Sequence, residues 1–273
     1  MDLSNENMTH VKSDEIEYLQ FKRLLEFDNL VHCYTLSVYD VNFKSDSDKF
    51  DDSINKIAKE LNINKNNIVK PLQKHTDCIK NVENDTEKWQ CSDNYNNVDG
   101  LLTNKMDIEL MLSFADCTPI LLYDPINKVV GNIHSGWRGT VQKIGQKAVH
   151  KMIKDYGSKP EDIIACIGPC IGKCHFEVDE DIKNIFEQTF SYFNRSCDII
   201  AKQNNIVDGK QKYHIDTTLV NRLLLEECGL NKKNIIESGI CTVCNSDYMH
   251  SYRAQKEKSG RNVAILGTIR DGS

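Results

Sequence analysis

The amino-acid sequence predicts a single α/β (α+β) domain. From residue 33 onward, β-rich apolar runs mix with stretches of helical periodicity. No internal repeat and no Pro- or Gly-rich linker divides them. At 273 residues the chain is long enough to close one large core.

Residues 1–20 are polar and read as an N-terminal arm, leaving 21–273 as the domain. CYTLSVYDV (33–41) alternates and is rich in β-formers, which predicts a strand. DDSINKIAKELNI (51–63) places apolar residues at helical spacing and predicts a helix. NIVKPLQKHTDCIKNV (67–82) reads as strand, loop and strand, with His75 in the loop. IELMLSFAD (108–116) is a nearly continuous apolar run, the pattern of a buried strand. Pro119 lacks an N–H and restricts Thr118, so the chain breaks at DCTP before PILLYD begins a second strand. DPINK is a turn, VVGNIH (129–134) a third strand, and SGWRG another turn. TVQKIGQKAVHKMIKDYG (140–157) predicts an amphipathic helix with Thr140 as its cap and Gly157 as its stop. IIACIGP (163–169) is a strand running into a loop, and EDIKNIFEQTF (180–190) is a helix. YHIDTTLVNRLLLEECGL (213–230) holds a helix capped by Asp216 and stopped at Gly229. NVAILGTI (262–269) is the last strand.

A net charge of −6 gives no electrostatic case for nucleic acid or an acidic membrane as partner. The opening MDLSNENMTHVKSDE lacks the apolar stretch of a signal peptide. No apolar run approaches the roughly 18 residues that span a bilayer. A cytoplasmic protein is expected, with a monomer favoured. The 11 cysteines are an odd number, so they cannot all pair. Reduced thiols are expected, acting as metal ligands, nucleophiles or small core residues.

Cys117 and His134 each sit at the end of an apolar strand, where neighbouring strands bring side chains together. His75 lies at another strand–loop junction and is the best third partner. Two imidazoles and a thiolate would hold Zn2+ and leave one tetrahedral position for water, whose pKa zinc lowers to about 7. No short motif such as CxxC or HExxH links the three. On spacing alone, a small core residue and two filler histidines remain the competing reading. Asp99, Asp116 and Asp216 are turn or cap residues by default; Asp116 stands out only because it adjoins Cys117.

SGWRGT enters a helix through two glycines, presenting free N–H groups suited to an anion, and Arg138 adds a two-pronged donor for phosphate. An ordinary turn with a surface arginine explains it equally. SYRAQKEKSGR (251–261) places Arg253 and Arg261 around a lysine-rich loop, either solvated or a clamp on an anionic ligand. Cys166, Cys170 and Cys174 recur every fourth residue beside His175, a spacing that matches no standard iron–sulfur motif. A structural loop lining a pocket is the expectation there. Cys241 and Cys244 form a lone CxxC; without a second pair, no structural zinc is expected.

NVDGLLTN, FADCTPILLYD, GNIHSGWRGT, ACIGPCIGKCHFEV, YHIDTTLVNRLLLEECG and SYRAQKEKSGR occur in this order. Together they resemble the proteins called multicopper polyphenol oxidoreductases or laccase-like proteins, better described as zinc-dependent purine nucleoside phosphorylases. The likeness runs over roughly residues 25–270. It implies one domain of layered mixed sheets flanked by helices, similar to cysteine deamidase toxins. It implies Zn2+ held by His75 (of Gln73-Lys74-His75), Cys117 and His134. The implied substrates are purine nucleosides and phosphate, with adenosine deamination as a second activity. The N-terminal part departs from the family pattern: it lacks the Gly-Val-Ser opening and the Ser-Leu-Asn-Leu-Gly stretch. Ser135 stands where alanine is commoner, and Cys170 and Cys174 are variants within their loop.

On this reading Arg138, Gly139 and Arg253 bind substrate or phosphate, and Asp116 and Arg138 are the catalytic candidates. The alternatives are a metal-free amidase or deamidase, with Cys117 as nucleophile and His134 as base, and a purine sensor without turnover. One compact His/Cys/His set holds too few ligands for a multicopper cluster.

Overall fold

The computed structural model describes residues 1–83, 95–207 and 209–270. In chain order its strands are β1 (Met8–Lys12), β2 (Glu17–Phe21), β3 (Leu30–Thr35), β4 (Ile68–Val69) and β5 (Ile79–Asn81). There follow β6 (Gly100–Thr103), β7 (Ile108–Phe114), β8 (Thr118–Asp124), β9 (Val129–Ser135) and β10 (Ile164–Ile167). The last are β11 (Glu177–Val178), β12 (Ile200–Val207), β13 (Lys210–Ile215), β14 (Ile235–Glu237) and β15 (Asn262–Thr268). The helices are α1 (Phe50–Glu60), α2 (Trp137–Val141), α3 (Ile144–Tyr156), α4 (Glu180–Phe190), α5 (Ser196–Ile199), α6 (Thr217–Glu227) and α7 (Tyr252–Gln255).

Two mixed sheets form the centre, in the orders β1-β2-β3-β15-β7-β4 and β14-β10-β8-β9-β6-β5; a small sheet β11-β13-β12 stands apart. The long apolar runs explain the layering. On β7, Leu110, Leu112 and Phe114 point between the two sheets, where they meet Leu121 and Tyr123 of β8. Met111 points the other way, onto Ile54 and Ile57 of α1. Ile120 and Leu122 of β8 face Ala148, Val149 and Met152 of α3. Each central strand is therefore covered on both faces, and the result is helix, sheet, sheet, helix. The side-chain amide of buried Asn132 on β9 crosses the middle, donating to Leu110 O (2.9 Å) and Ala264 O (2.8 Å) of the facing sheet.

The mixed fold class and the interior strands are as the sequence predicts. Asp216 caps α6 by accepting from Leu219 N (2.9 Å), and Gly229 follows its end at φ +89°. Gly157 ends α3 at φ +72°, a conformation glycine adopts without strain. Three segments differ. The expected polar arm pairs into the β1–β2 hairpin, burying Met8, Leu19 and Phe21 at the edge of the first sheet. The strand expected over 33–41 ends at Thr35, because Tyr39 and Asp40 turn the chain at φ 58° and 59°. The helix expected from Thr140 is split: Lys143 at φ 61° separates α2 from α3. Thr140 donates its hydroxyl to Gly136 O (3.1 Å) inside α2 instead of capping.

Glu109 on β7 yields a test of the core. It is buried, Oε2 has no hydrogen-bond partner, and burial followed by the charge of Asp107 pushes its pKa from 4.5 up to about 7. The folded state holds this proton more tightly than the unfolded chain, so stability falls as pH rises between 4.5 and about 7. Glu109→Gln is expected to raise the melting temperature by a few degrees at about pH 8, from at most about 3 kcal/mol, and to change little near pH 4. Melting curves at the two pH values check it; an equal shift at both would remove the ionised carboxylate as the cause.

Candidate metal centre

His75 lies in the loop between β4 and β5, with its backbone held at φ 60°. One side chain fixes that loop. The carboxylate of buried Asp99, just before β6, accepts from the N–H groups of Lys74 (3.2 Å), His75 (3.0 Å) and Thr76 (2.7 Å) and from the Thr76 hydroxyl (2.8 Å). Asp99 Oδ1 also takes the Nδ1–H of His134 at 2.8 Å. With Nδ1 held by this carboxylate, Nε2 is the His134 nitrogen that can give up its proton and bind a metal. His134 sits near the end of β9, in register with Pro119 of β8. Cys117 immediately precedes β8, after a turn in which Asp116 adopts φ 84°.

These three segments converge. The donor atoms of His75, Cys117 and His134 all lie within 4.8 Å of one another, and the two imidazole rings meet edge-on with centroids 4.9 Å apart. Gly136 makes room for them: a Cβ there would stand 2.9 Å from His75 Cδ2 and 3.1 Å from Cys117 Sγ. Burial would push the Cys117 thiol up, but the His134 and His75 imidazoles outweigh it and hold the thiol down at about 6. Burial would lower His134, but the Cys117 sulfur and Asp99 outweigh it and raise the imidazole to about 9. Burial opposes the charge on Asp99, yet His134 and Thr76 keep its pKa down at about 2. A thiolate and two imidazoles with an open side fit a divalent metal of the zinc type.

The triplet opens onto a cavity of about 720 Å³. Its wall includes the aromatic groups Phe43, Trp137, Phe176 and Tyr252, the cations Lys44, Lys70, Lys74, Arg253 and Arg261, and the acidic Asp46. Arg253 donates to His175 O (2.9 Å) and Glu177 O (3.0 Å), which aligns its guanidinium beside Phe176. Asp116 also lines the cavity. Its Oδ1 accepts from the Thr242 hydroxyl and its Oδ2 from Arg253 N, both at 2.6 Å, so the carboxylate anchors the start of α7.

Arg138 and Gly139 are placed elsewhere. Arg138 is exposed and lies over the Trp137 ring at 4.3 Å, and neither residue is part of the cavity wall. The helix that follows SGWRG is the five-residue α2, and Gly139 is buried inside it against Ile144. Of the three residues expected to bind an anion, Arg253 lines this cavity and Arg138 and Gly139 do not.

Asp99 reads from sequence as a turn or cap residue by default. Only the fold shows five hydrogen bonds converging on that carboxylate. The cysteine expectation also changes. Cys166 is a buried core residue, whereas Cys174 and His175 come together with Cys241 and Cys244. The CxxC pair is not alone, because Cys170 and Cys241 sit on a bridge joining the two loops. Every described cysteine is free; Cys91 lies outside the described residues.

A family model described as multi-copper polyphenol oxidoreductase laccase matches residues 36–269. The chain belongs to this family. Among its relatives, purine nucleoside phosphorylase YlmD of Bacillus subtilis is 36% identical over 169 residues, covering 62% of this chain and 58% of that protein. The match thus spans less than two thirds of that relative's length. A purine nucleoside phosphorylase of Staphylococcus epidermidis is 34% identical over 200 residues, 72% of this chain and 71% of the relative. Another, from Clostridium acetobutylicum, is 28% identical over 257 residues, 93% of this chain and 97% of the relative. The fold matches that of YlmD from Geobacillus stearothermophilus with a TM-score of 0.84 at 23% identity, over 99% of this chain and 100% of the other. It matches the hypothetical protein YfiH of Bacillus licheniformis with a TM-score of 0.82 at 25% identity, over 95% and 98%. Among the described residues no helix is long and apolar enough to cross a membrane.

Proposed function

We propose that this chain is a zinc-dependent purine nucleoside phosphorylase whose active site is the cavity above His75, Cys117 and His134. What carries the reading is that triplet opening onto a pocket with both aromatic and cationic walls. Purines are flat and apolar, and phosphate is a compact anion; the wall offers a surface for each. The relatives' name agrees with that pair of ligands.

In phosphorolysis a phosphate oxygen forms a bond to C1′ of the ribose, and the C1′–N9 bond breaks with its electron pair passing to the purine. Arg253, Arg261 and Lys70 hold the phosphate and offset its charge as it approaches the sugar. Trp137, Phe176 and Tyr252 hold the ring. Asp116 keeps Arg253 in place through its backbone N–H. Zn2+, when bound by His75, Cys117 and His134, supplies a Lewis acid at the floor of the cavity. The same pocket would accept adenosine for deamination at C6.

The test is a panel of adenosine, inosine, guanosine and methylthioadenosine, each incubated with the protein with and without phosphate. Free base and the matching sugar 1-phosphate (ribose 1-phosphate, or 5-methylthioribose 1-phosphate from methylthioadenosine) are expected only when phosphate is present, and inosine from adenosine in either case. Arg253→Ala should raise the KM for phosphate by roughly tenfold, the loss of about one charge-assisted contact. No free base from any member of the panel would leave the assignment without support. A metal-free thiol enzyme is the second reading, favoured by the depressed Cys117 thiol between two imidazoles. It predicts inactivation by alkylation that chelators do not enhance.

A further inference from the structure

The second Cys/His cluster lies outside the cavity wall. Cys174 and His175 sit on the loop between β10 and β11, and Cys241 and Cys244 on the segment after β14. Their four donor atoms all fall within 4.8 Å of one another. The sulfurs of Cys174 and Cys244 are 3.8 Å apart. His175 Nδ1 is 3.2 Å from Cys174 Sγ, 3.7 Å from Cys241 Sγ and 3.5 Å from Cys244 Sγ. Zinc bonds of about 2.3 Å to sulfur and about 2.0 Å to nitrogen, at tetrahedral angles, set S···S edges of about 3.8 Å and S···N edges of about 3.5 Å. The observed separations bracket those edges.

The surroundings suit an ion as well. Gly172 N–H donates to Cys241 Sγ at 3.3 Å, a contact that stabilises a thiolate. Gly172 packs closely on the cluster: a Cβ there would stand 3.2 Å from Cys174 Sγ and 3.3 Å from Cys241 Cβ. Each ligand pair rides on a tight turn: His175 N and Phe176 N donate to Gly172 O, and Asn245 N donates to Cys241 O. Backbone bonds join the two loops, from Cys170 N to Ile240 O (3.3 Å) and from Thr242 N to Cys170 O (3.0 Å). An iron–sulfur cluster spreads its ligands around several irons, whereas this spacing encloses one ion. A disulfide needs sulfurs about 2.0 Å apart and would leave a thiol and His175 unused.

We infer that Cys174, His175, Cys241 and Cys244 form a second, structural metal site that closes four ligands around one tetrahedral Zn2+. Each cysteine gives up its proton to solvent as the ion binds. The site staples the loop after β10 to the segment after β14. Both parts reach the cavity: His175 O receives Arg253 Nη1, and Thr242, between the two cysteines, donates to Asp116.

The experiment is metal quantification on full-length protein reconstituted with Zn2+ under reducing conditions. The wild-type chain should bind two ions. Cys241→Ser/Cys244→Ser should keep only the ion of the first triplet, and Cys117→Ala only the second. Cobalt substitution of Cys117→Ala gives a readout that does not require the double variant to fold. Intense tetrahedral d–d bands and a charge-transfer band scaled to three thiolates are expected. A wild-type chain binding no more ions than the double variant would overturn the assignment. So would a Cys117→Ala protein whose cobalt form lacks those bands, or loss of two thiols to a disulfide with Zn2+ in excess.

Discussion

Replacing Cys117 by alanine is expected to empty the first triplet and cut nucleoside turnover by about 10³-fold or more. Two imidazoles remain, and a pair of ligands does not fix a tetrahedral ion. Loss of several kcal/mol of Lewis-acid stabilisation corresponds to that factor. His75→Ala should act alike, because its imidazole is held at the same point by the Asp99 hydrogen bonds to its loop. Neither change removes much core: Cys117 is only partly buried and His75 is exposed. Circular dichroism and melting curves would show that the variants are folded. The measurement is metal content beside turnover on the nucleoside panel. Full turnover in either variant after metal removal would end the metal mechanism and leave the protein–phosphate contacts as the only catalytic element.

The three residues could be grouped as candidates because each adjoins a structural signal, but spacing left the grouping open and the family resemblance is what implied it. His75 follows a short strand, Cys117 precedes a proline-marked strand and His134 ends an apolar run. The interior strands β7, β8, β9 and β15 were legible for a related reason, since burial on both faces leaves little but apolar residues. The β1–β2 hairpin was not. Only β1 is an edge strand, and MTHVK keeps polar groups along its length; β2 lies inside the sheet, but EYLQF is a five-residue segment too short to show a clear period. The split between α2 and α3 was hidden because Lys143 carries no breaker signal, yet it takes the left-handed turn. The position of Arg138 could not be read either: spacing puts it four residues after His134, and only the fold shows it exposed and lying over the Trp137 ring. The second cluster was invisible because its halves are 66 residues apart from His175 to Cys241 and are brought together by tertiary contacts such as the Cys170–Cys241 bridge.

Asp99→Asn makes the second large effect, through a residue that touches neither ion nor substrate. The carboxylate offers acceptors only: Oδ1 receives His75 N and His134 Nδ1, and Oδ2 receives Lys74 N, Thr76 N and the Thr76 hydroxyl. An amide must put NH2 on one side. Facing Oδ2's partners, it meets two backbone donors that have nowhere to turn. Facing Oδ1's, it meets His75 N and forces the His134 proton onto Nε2, the atom the metal needs. Metal affinity should fall by about 10–100-fold or more, the usual cost of losing a hydrogen-bond partner behind a ligand histidine. Each stranded buried donor also costs about 1–3 kcal/mol, so the melting temperature of the metal-free protein should drop as well. The pH dependence separates this from simple repacking. The Asp99 pKa is lowered from 3.8 to about 2, so its contribution is full above 3.8 and fades as pH falls towards about 2. The stability gap between wild type and Asp99→Asn should therefore close across that acid window. Zinc competition titrations near neutral pH, with melts across the acid range, measure both. Unchanged zinc affinity in Asp99→Asn would mean that His134 finds its tautomer without this carboxylate, and that the buried hydrogen bonds serve the loop alone.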